Sequence, residues 1–254
     1  MRIVIKVGTS TLAHSTGRMN IRKVEMLCKV LSDIKNAGND IVLVSSGAIG
    51  MGMGKINMKE RPTDMPTKQA CAAIGQCELM YVYDNLFTQY NHVTAQVLLT
   101  GADIEHNDRC FNVTNTLNRL IKLGSIPIIN ENDTVSTDEI EIGDNDTLSA
   151  IVSCIVKADL LVILSDIDGL YDSDPRINKN AKLLKQVNGI TEDIIKMATG
   201  SNTNLGTGGM ATKINAGKIV EKENIDMIIM NGDNPSLLYD ILEGKQVGTK
   251  FCNR

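Results

Sequence analysis

The segment EIEIGDNDTLSA, residues 139–150, concentrates side chains that could bind a charged ligand. Asp144, Asn145 and Asp146 stand where a strand-like alternation and a glycine turn give way to an apolar helix start. A helix N-terminus offers free N–H groups and a partial positive charge. Carboxylates there can organise a metal ion and a substrate. From this segment alone, a helix-capping role for Asp144 or Asp146 is the simpler interpretation, because Asp and Asn are preferred at caps.

Two lysines stand where a phosphate could be held. Lys6 lies inside the apolar run 3–7, where a charge is costly unless it reaches a polar crevice or an anion. A lysine on an edge strand is the alternative interpretation. Lys213 ends the segment GTGGMATK, residues 206–213, whose backbone N–H groups could bind phosphate oxygens at a helix start. Because phosphoryl transfer depends mostly on positioning and charge neutralisation, two lysines flanking the moving group suit that reaction.

A second glycine-rich segment, SSGAIGMGMG at residues 45–54, follows the apolar run 41–44. Its spacing matches neither the dinucleotide GxGxxG pattern nor a Walker A loop. The segment could hold a ligand or form a tight turn, and the sequence leaves both open. The three histidines are dispersed and the six cysteines show no CxxC, so the sequence predicts neither a metal site nor a histidine-based triad.

Apolar strand-like runs and helical periods alternate along the whole chain. Strands are predicted near 3–7, 41–44, 93–99, 126–129, 160–164 and 227–230, with 245–251 as a final edge strand. Helices are predicted over 21–37, 67–90, 107–123, 145–157, 213–223 and 237–242. Small residues in the helix 67–90 allow it to pack closely against another element or a partner subunit. Continuous apolar strands separated by helices predict a mainly parallel sheet covered on both faces.

The polar segments follow predicted strand ends, at 8–10, 45–54, 130–135, 143–146, 165–176 and, less clearly, 206–213. In open parallel sheets, ligands bind in the crevice beyond the carboxyl ends of the strands. We therefore expect one shared site at this edge.

Whole-chain composition excludes several classes of protein. The 254 residues are 43% hydrophobic and 22% charged, as in ordinary soluble proteins, and the formal net charge is −4. A nucleic-acid or membrane-surface protein would be expected to carry a basic patch. No run approaches the roughly 20 apolar residues of a membrane span, and the N-terminus lacks a signal-peptide pattern. We expect a cytoplasmic protein with reduced cysteines and no nucleic-acid or membrane partner.

Several blocks together resemble the amino acid kinase superfamily and, within it, the glutamate 5-kinase family. They are KVGTS (6–10), VSSGAIG (44–50), INENDTV (129–135), GDNDTLSA (143–150), SDIDGLY (165–171), DPR (174–176) and GTGGMATK (206–213). The resemblance covers essentially the whole chain, and the INEND, GDND and GTGGM blocks are its most specific parts. It implies a three-layer αβα sandwich with about eight strands, as a single kinase domain over residues 1–254.

The resemblance also implies an activity and a set of site residues. The expected reaction is phosphorylation of the γ-carboxylate of L-glutamate by MgATP, the first step of proline synthesis, with Mg²⁺ carried by the nucleotide. The implied catalytic residues are Lys6, Lys213 and Asp146, and the implied glutamate-binding residues are Ser46, Asp133 and Asn145. The implied nucleotide-binding residues are Lys6, Ser165, Asp166, Thr207, Gly208, Gly209, Met210, Ala211, Thr212 and Lys213.

Family partners follow as further expectations: a homo-oligomer (dimer or tetramer), proline as feedback inhibitor and glutamyl phosphate reductase as downstream partner. Many members carry a C-terminal PUA domain, and this sequence is expected to hold the kinase domain alone. It departs from the usual pattern with methionines at 51 and 53, Ala211 in place of Ser and Ser165 in place of Thr. The alternatives are another carboxylate or carbamate kinase of the superfamily, a non-catalytic amino-acid or nucleotide sensor, and a dinucleotide dehydrogenase.

Overall fold

The computed structural model describes residues 1–14, 17–135, 144–199 and 209–252. The strands in these ranges are β1 (Arg2–Val7), β2 (Asp40–Ser45), β3 (Thr94–Leu99), β4 (Ile126–Glu131), β5 (Leu160–Ser165), β6 (Gln186–Asn188), β7 (Asp226–Asn231) and β8 (Thr249–Cys252). The helices are α1 (Thr9–Leu12), α2 (Ile21–Asn36), α3 (Ala48–Lys55), α4 (Met65–Thr88), α5 (Gly101–Glu105), α6 (Asn107–Lys122), α7 (Asn145–Val156), α8 (Glu192–Thr199), α9 (Met210–Lys222) and α10 (Leu237–Leu242). The strand-like alternation predicted ahead of α7 lies outside the described residues.

The strands form one sheet in the order β3-β4-β2-β1-β5-β7-β8-β6. All neighbouring strands pair in parallel except β7 and β8, which are antiparallel. The central strands β1, β2 and β5 are buried almost throughout, as expected of strands covered on both faces. β1 lies between β2 and β5, so the interpretation of Lys6 as an edge-strand lysine was wrong.

The pleat of β1 separates two hydrophobic cores. Ile3, Ile5 and Val7 face a core shared with α2, α4 and α10, whereas Val4 faces a core shared with α6, α7 and α9. The sheet is therefore sandwiched between two helical layers, which confirms the predicted αβα architecture. Among the described residues, none of the helices combines the length and the apolar character that crossing a bilayer requires.

The glycine-rich segment after β2 is a helix rather than a loop. Gly47 has a left-handed backbone (φ 105°) that turns the chain from β2 into α3. A β-carbon on Gly52 would lie 1.9 Å from the carbonyl oxygen of Cys71 on α4, and one on Gly75 would lie 1.8 Å from that of Ala48. Gly52 of α3 and Gly75 of α4 thus permit close helix packing, which confirms the contact with another element expected from the small residues of α4.

The far end of the sheet differs from the prediction. The final strand β8 was expected at an edge, and this was wrong because β6 pairs beyond it. β6 has only three residues and alternates in burial, so it carries little hydrophobic signal.

Candidate active site

A buried carboxylate joins the two predicted lysines. Asp146 Oδ1 lies 2.7 Å from Lys6 Nζ, and Asp146 Oδ2 lies 3.1 Å from Lys213 Nζ. The Thr212 hydroxyl lies 2.7 Å from Asp146 Oδ2 and equally close to the carbonyl oxygen of Gly209. Asp146 is 1% exposed, Lys6 7% and Lys213 5%. Two ammonium groups share one carboxylate here, so the trio carries an excess positive charge beneath the surface.

Three elements converge to build this trio. Lys6 precedes the last residue of β1, and the pleat directs its side chain to the face of the sheet that bears Val4. α7 and α9 cover that face. Asp146 and Lys213 each lie in the first turn of their helix, at the end that faces the carboxyl ends of the strands. The alternating side-chain directions along β1 and the first turns of α7 and α9 thus bring the three charges together.

The charges of the two lysines control the ionisation of Asp146. Burial by itself raises the pKa of this carboxyl, but the nearby charges of Lys6 and Lys213 outweigh burial and hold its pKa below the usual value. Asp146 is therefore ionised at neutral pH and fixes both ammonium groups without cancelling their joint charge.

A chain of side-chain amides lies directly beside the trio. Asn145 Nδ2 donates to Ser46 Oγ at 2.7 Å and to Asn130 Oδ1 at 2.9 Å. Asn130 Nδ2 in turn donates to Gln76 Oε1 at 3.0 Å. The backbone N–H of Ser46 donates to the carbonyl oxygen of Val7 at 3.0 Å, which ties this chain to the end of β1. The structure thus brings together Ser46 and Asn145, two of the three predicted glutamate-binding residues.

The side-chain oxygen of Asn145 is left over in this arrangement. It is buried and accepts no hydrogen bond from any described residue. Both N–H groups of the amide are used, so the oxygen needs a donor from outside the network. Buried polar atoms without a partner are rare, and a bound ligand is one reason for them.

The third predicted glutamate ligand, Asp133, lies just beyond β4 and is partly buried. Its pKa is raised to about 6, first because burial disfavours the charged form and second because the charge of Glu131 is close. Among the described residues, Asp133 forms no hydrogen bond with the amide chain. Asp133 therefore presents a partly desolvated carboxyl group that could pair with a cationic group.

Asp144, next to these residues, caps α7. Its carboxylate accepts the backbone N–H of Thr147 at 2.9 Å and the Thr147 hydroxyl at 3.1 Å. This is the N-cap role that the sequence left open between Asp144 and Asp146. The cap fixes the first turn of α7, which carries both Asn145 and Asp146.

Two of the predicted nucleotide-binding residues, Lys6 and Lys213, belong to the trio itself, and the other described ones lie at the end of β5 and the start of α9, on the opposite side of β1 from Ser46. Ser165 ends β5 and donates to Asp166 Oδ1 at 3.2 Å, and Asp166 is exposed. Gly209 is the N-cap of α9, and Met210, Ala211, Thr212 and Lys213 form its first turn. Thr207 and Gly208 lie outside the described residues. The described part of this set places the N-terminus of α9, where Gly209 supplies no side-chain cap, near the end of the sheet.

The sequence analysis did not assign three polar residues of this region to the site. Asn130 opens the polar run that begins at the end of β4, a signal that could have identified it. Gln76 is buried on α4. The available signal in the sequence was an amide side chain among apolar and small residues. Asn231 ends β7 and donates to Asp168 Oδ1 at 2.9 Å, and nothing in its sequence context marked it. Within the described ranges, His, Cys, Asp and Glu form no group of three or more that could hold a metal ion.

Comparison with known proteins places these features in a family. A model of the amino acid kinase family matches residues 1–231. The chain is 53% identical to a glutamate 5-kinase of Clostridium perfringens, covering 98% of this chain and 94% of that protein. It is 50% identical to a glutamate 5-kinase of Caldanaerobacter subterraneus, covering 99% of this chain and 68% of that protein.

Solved structures share the fold at low sequence identity. Carbamate kinase from Giardia lamblia bound to AMP-PNP superimposes with a TM-score of 0.71 at 16% identity, covering 100% of this chain and 98% of the other. Isopentenyl phosphate kinase from T. acidophilum gives a TM-score of 0.69 at 18% identity, covering 99% and 100%.

Proposed function

The chain belongs to the amino acid kinase family and, within it, to the glutamate 5-kinases, and on this premise we propose how its residues carry out the reaction. The enzyme transfers the γ-phosphoryl group of ATP to the γ-carboxylate of L-glutamate. An oxygen of that carboxylate attacks the γ-phosphorus, and the bond from this phosphorus to the β,γ-bridging oxygen breaks. The products are L-glutamyl 5-phosphate and ADP. Because the attacking carboxylate is already ionised at neutral pH, the step needs no general base.

The observation that carries the proposed mechanism is the buried Lys6–Asp146–Lys213 trio beside Asn145. Charge spreads over the transferring oxygens, so catalysis rests on groups that are already positioned and charged. Lys6 and Lys213 supply that charge, and Asp146 holds both ammonium groups in place. The excess positive charge of the trio attracts an anionic ligand such as the phosphates of ATP.

We assign the two substrates to opposite sides of the trio. Ser46, Asn145 and Asp133 bind L-glutamate, with the Asp133 carboxylate pairing with its ammonium group. Ser165, Asp166 and residues 207–213 bind the nucleotide, with the N-terminus of α9 directed at its phosphates. Mg²⁺ enters with ATP as part of the substrate, since this ion is commonly held through phosphate oxygens and water rather than by a protein cage.

Several further expectations extend this proposal. Residues 1–254 form a single kinase domain, which is supported by the membership of all described strands in one sheet. The enzyme works in the cytoplasm, where ATP is available. Assembly into dimers or tetramers, inhibition by proline and an association with glutamyl phosphate reductase remain predictions from the family.

Trapping of the product tests the reaction and the substrate together. The protein is incubated with MgATP, hydroxylamine and each of a panel of amino acids and dicarboxylates. We expect a glutamyl hydroxamate that forms from L-glutamate and depends on ATP, with ADP released in equal amount. Release of ADP without hydroxamate from any carboxylate would contradict the proposal.

A further inference from the structure

The amide chain beside the trio has a defined direction. Gln76 Oε1 accepts from Asn130 Nδ2, which leaves the oxygen of Asn130 facing Asn145. Asn145 must then offer its nitrogen to Asn130 and to Ser46, so its own oxygen is the atom that remains. If the amide of Asn130 turned over, two N–H groups would meet and Asn145 would have to turn as well. The orientation at Gln76 is thus passed on to the Asn145 oxygen.

The remaining oxygen selects its partner by chemistry. It can only accept a hydrogen bond, and it is buried without a donor among the described residues. L-Glutamate at neutral pH carries donors only at its ammonium group, because both of its carboxylates are ionised. The reversed amide would present an N–H group to that ammonium and repel it.

We propose that Gln76 is a positioning residue that, through Asn130, holds the Asn145 side-chain oxygen toward the substrate ammonium group. This inference rests on the proposed function and deepens it. Gln76 is 8% exposed and belongs to α4, the helix that packs on α3 through Gly52 and Gly75. It acts from behind Asn130 and needs no contact with the substrate. Its contribution is to glutamate affinity and to discrimination against acids that lack the ammonium group.

The variant Gln76→Met tests this role, because methionine has a similar volume and no amide. We expect the KM for L-glutamate to rise about tenfold, while kcat and the KM for MgATP change by less than about twofold. Glutarate, which is glutamate without the ammonium group, serves as a competitor. Its inhibition constant is expected to change by less than about twofold, so that the variant loses discrimination between the two acids.

Two further variants separate positioning from packing. Gln76→Glu keeps an acceptor oxygen and, at pH 8, is expected to hold the glutamate KM within about threefold of the parent. Gln89→Met makes the same chemical change at an exposed position at the end of α4 and is expected to behave as the parent. Thermal unfolding of each variant shows whether the fold is retained.

The outcomes distinguish this inference from the proposed function. If the parent protein forms no glutamyl hydroxamate, the proposed function is wrong. If the parent forms it but Gln76→Met leaves the glutamate KM unchanged, the positioning role is wrong and the function stands. The same conclusion follows if glutamate and glutarate lose affinity by one common factor, because this is the result of a general packing defect.

Discussion

Asp146 is the buried counter-ion of Lys6 and Lys213, and in the proposed mechanism it also holds both ammonium groups in place for catalysis. A buried ion pair adds little stability over an apolar replacement, but removal of one partner leaves an uncompensated buried charge. Asp146→Asn would leave two buried ammonium groups facing a neutral amide. We expect the free energy of unfolding to fall by about 3–5 kcal/mol and kcat to fall by about 10²–10³-fold. Urea unfolding and steady-state kinetics measure the two effects.

Thr212→Val is the matched control, because it removes one neutral hydroxyl that contacts the same carboxylate and the Gly209 carbonyl oxygen. It is expected to lower the free energy of unfolding by about 1 kcal/mol.

The pH dependence of stability provides a further check on the role of Asp146. The pKa of Asp146 is depressed in the folded state, so its contribution to stability is present above the unfolded value of about 4 and is lost as the pH falls through the folded value. A fully stable Asp146→Asn protein would contradict the buried-charge argument.

Asp133 is expected to make glutamate binding dependent on pH. Only the ionised carboxylate pairs with an ammonium group, and the pKa of Asp133 is about 6 because of burial and the charge of Glu131. We therefore expect kcat/KM for L-glutamate to fall as the pH drops below about 6, approaching tenfold per pH unit. The corresponding KM for MgATP is expected to stay nearly constant. Asp133→Asn should lower kcat/KM for glutamate and remove this limb of the profile.

The same raised pKa predicts an opposite effect on stability. A carboxyl whose folded pKa lies above its unfolded value destabilises the fold as the pH rises from about 4 to about 6. Asp133→Asn is therefore expected to stabilise the protein at pH 7.5 by about 1–3 kcal/mol while weakening glutamate binding. Thermal unfolding at pH 7.5 measures this gain. A variant that was less stable and still showed the acid limb would refute both parts of the prediction.

At the scale of elements, the packing of α3 on α4 supports the side of the site that we propose binds glutamate. α3 begins just after Ser46, and α4 carries Gln76 next to Gly75. Gly52→Ala would place a β-carbon 1.9 Å from the Cys71 carbonyl oxygen, so the helices must move apart. We expect a loss of about 1–3 kcal/mol in unfolding free energy and a raised KM for glutamate.

Gly50→Ala is the control within the same helix. A β-carbon there would lie 3.5 Å from Thr9 Cγ2, which is ordinary contact. Alanine favours helix over glycine by about 0.5–1 kcal/mol, so this variant is expected to be neutral or slightly more stable. Equal destabilisation by the two substitutions would show that backbone contact with α4 does not explain the effect of Gly52.

Sequence patterns predicted the strands and helices that have a strong hydrophobic pattern and missed those that lack one. The runs of β1, β2 and β5 are continuous and apolar, and Lys6 was conspicuous because it interrupts one of them. α3 was missed because three glycines in eight residues disfavour a helix, although one of them, Gly52, permits the close contact with α4. Gln76 was missed because its partner Asn130 is 54 residues away, a distance that only the folded sheet closes.

At the scale of the whole molecule, the site divides at the central strands. β1 carries Lys6 in the middle of the sheet, β2 and β4 lead to the proposed glutamate-binding residues Ser46 and Asp133, and β5 leads to Ser165 and Asp166. The Lys6–Asp146–Lys213 trio lies between these two halves and borders each of them. Each half is built from different strands and helix starts. We therefore expect each substrate to bind in the absence of the other.

Thermal unfolding with single substrates tests this division. A ligand present at about 100 times its dissociation constant stabilises the folded state by about 2.7 kcal/mol, which corresponds to a rise in Tm of about 5–10 °C for a chain of this size. L-Glutamate alone and MgATP alone should each give such a rise. Asp133→Asn is expected to lose the glutamate-dependent rise and to keep the nucleotide-dependent one. Asp166→Ala should show the reverse, because its exposed carboxylate lies at the end of β5, on the side that we propose binds the nucleotide. If either variant lost both responses while remaining folded, the two halves would be one cooperative site.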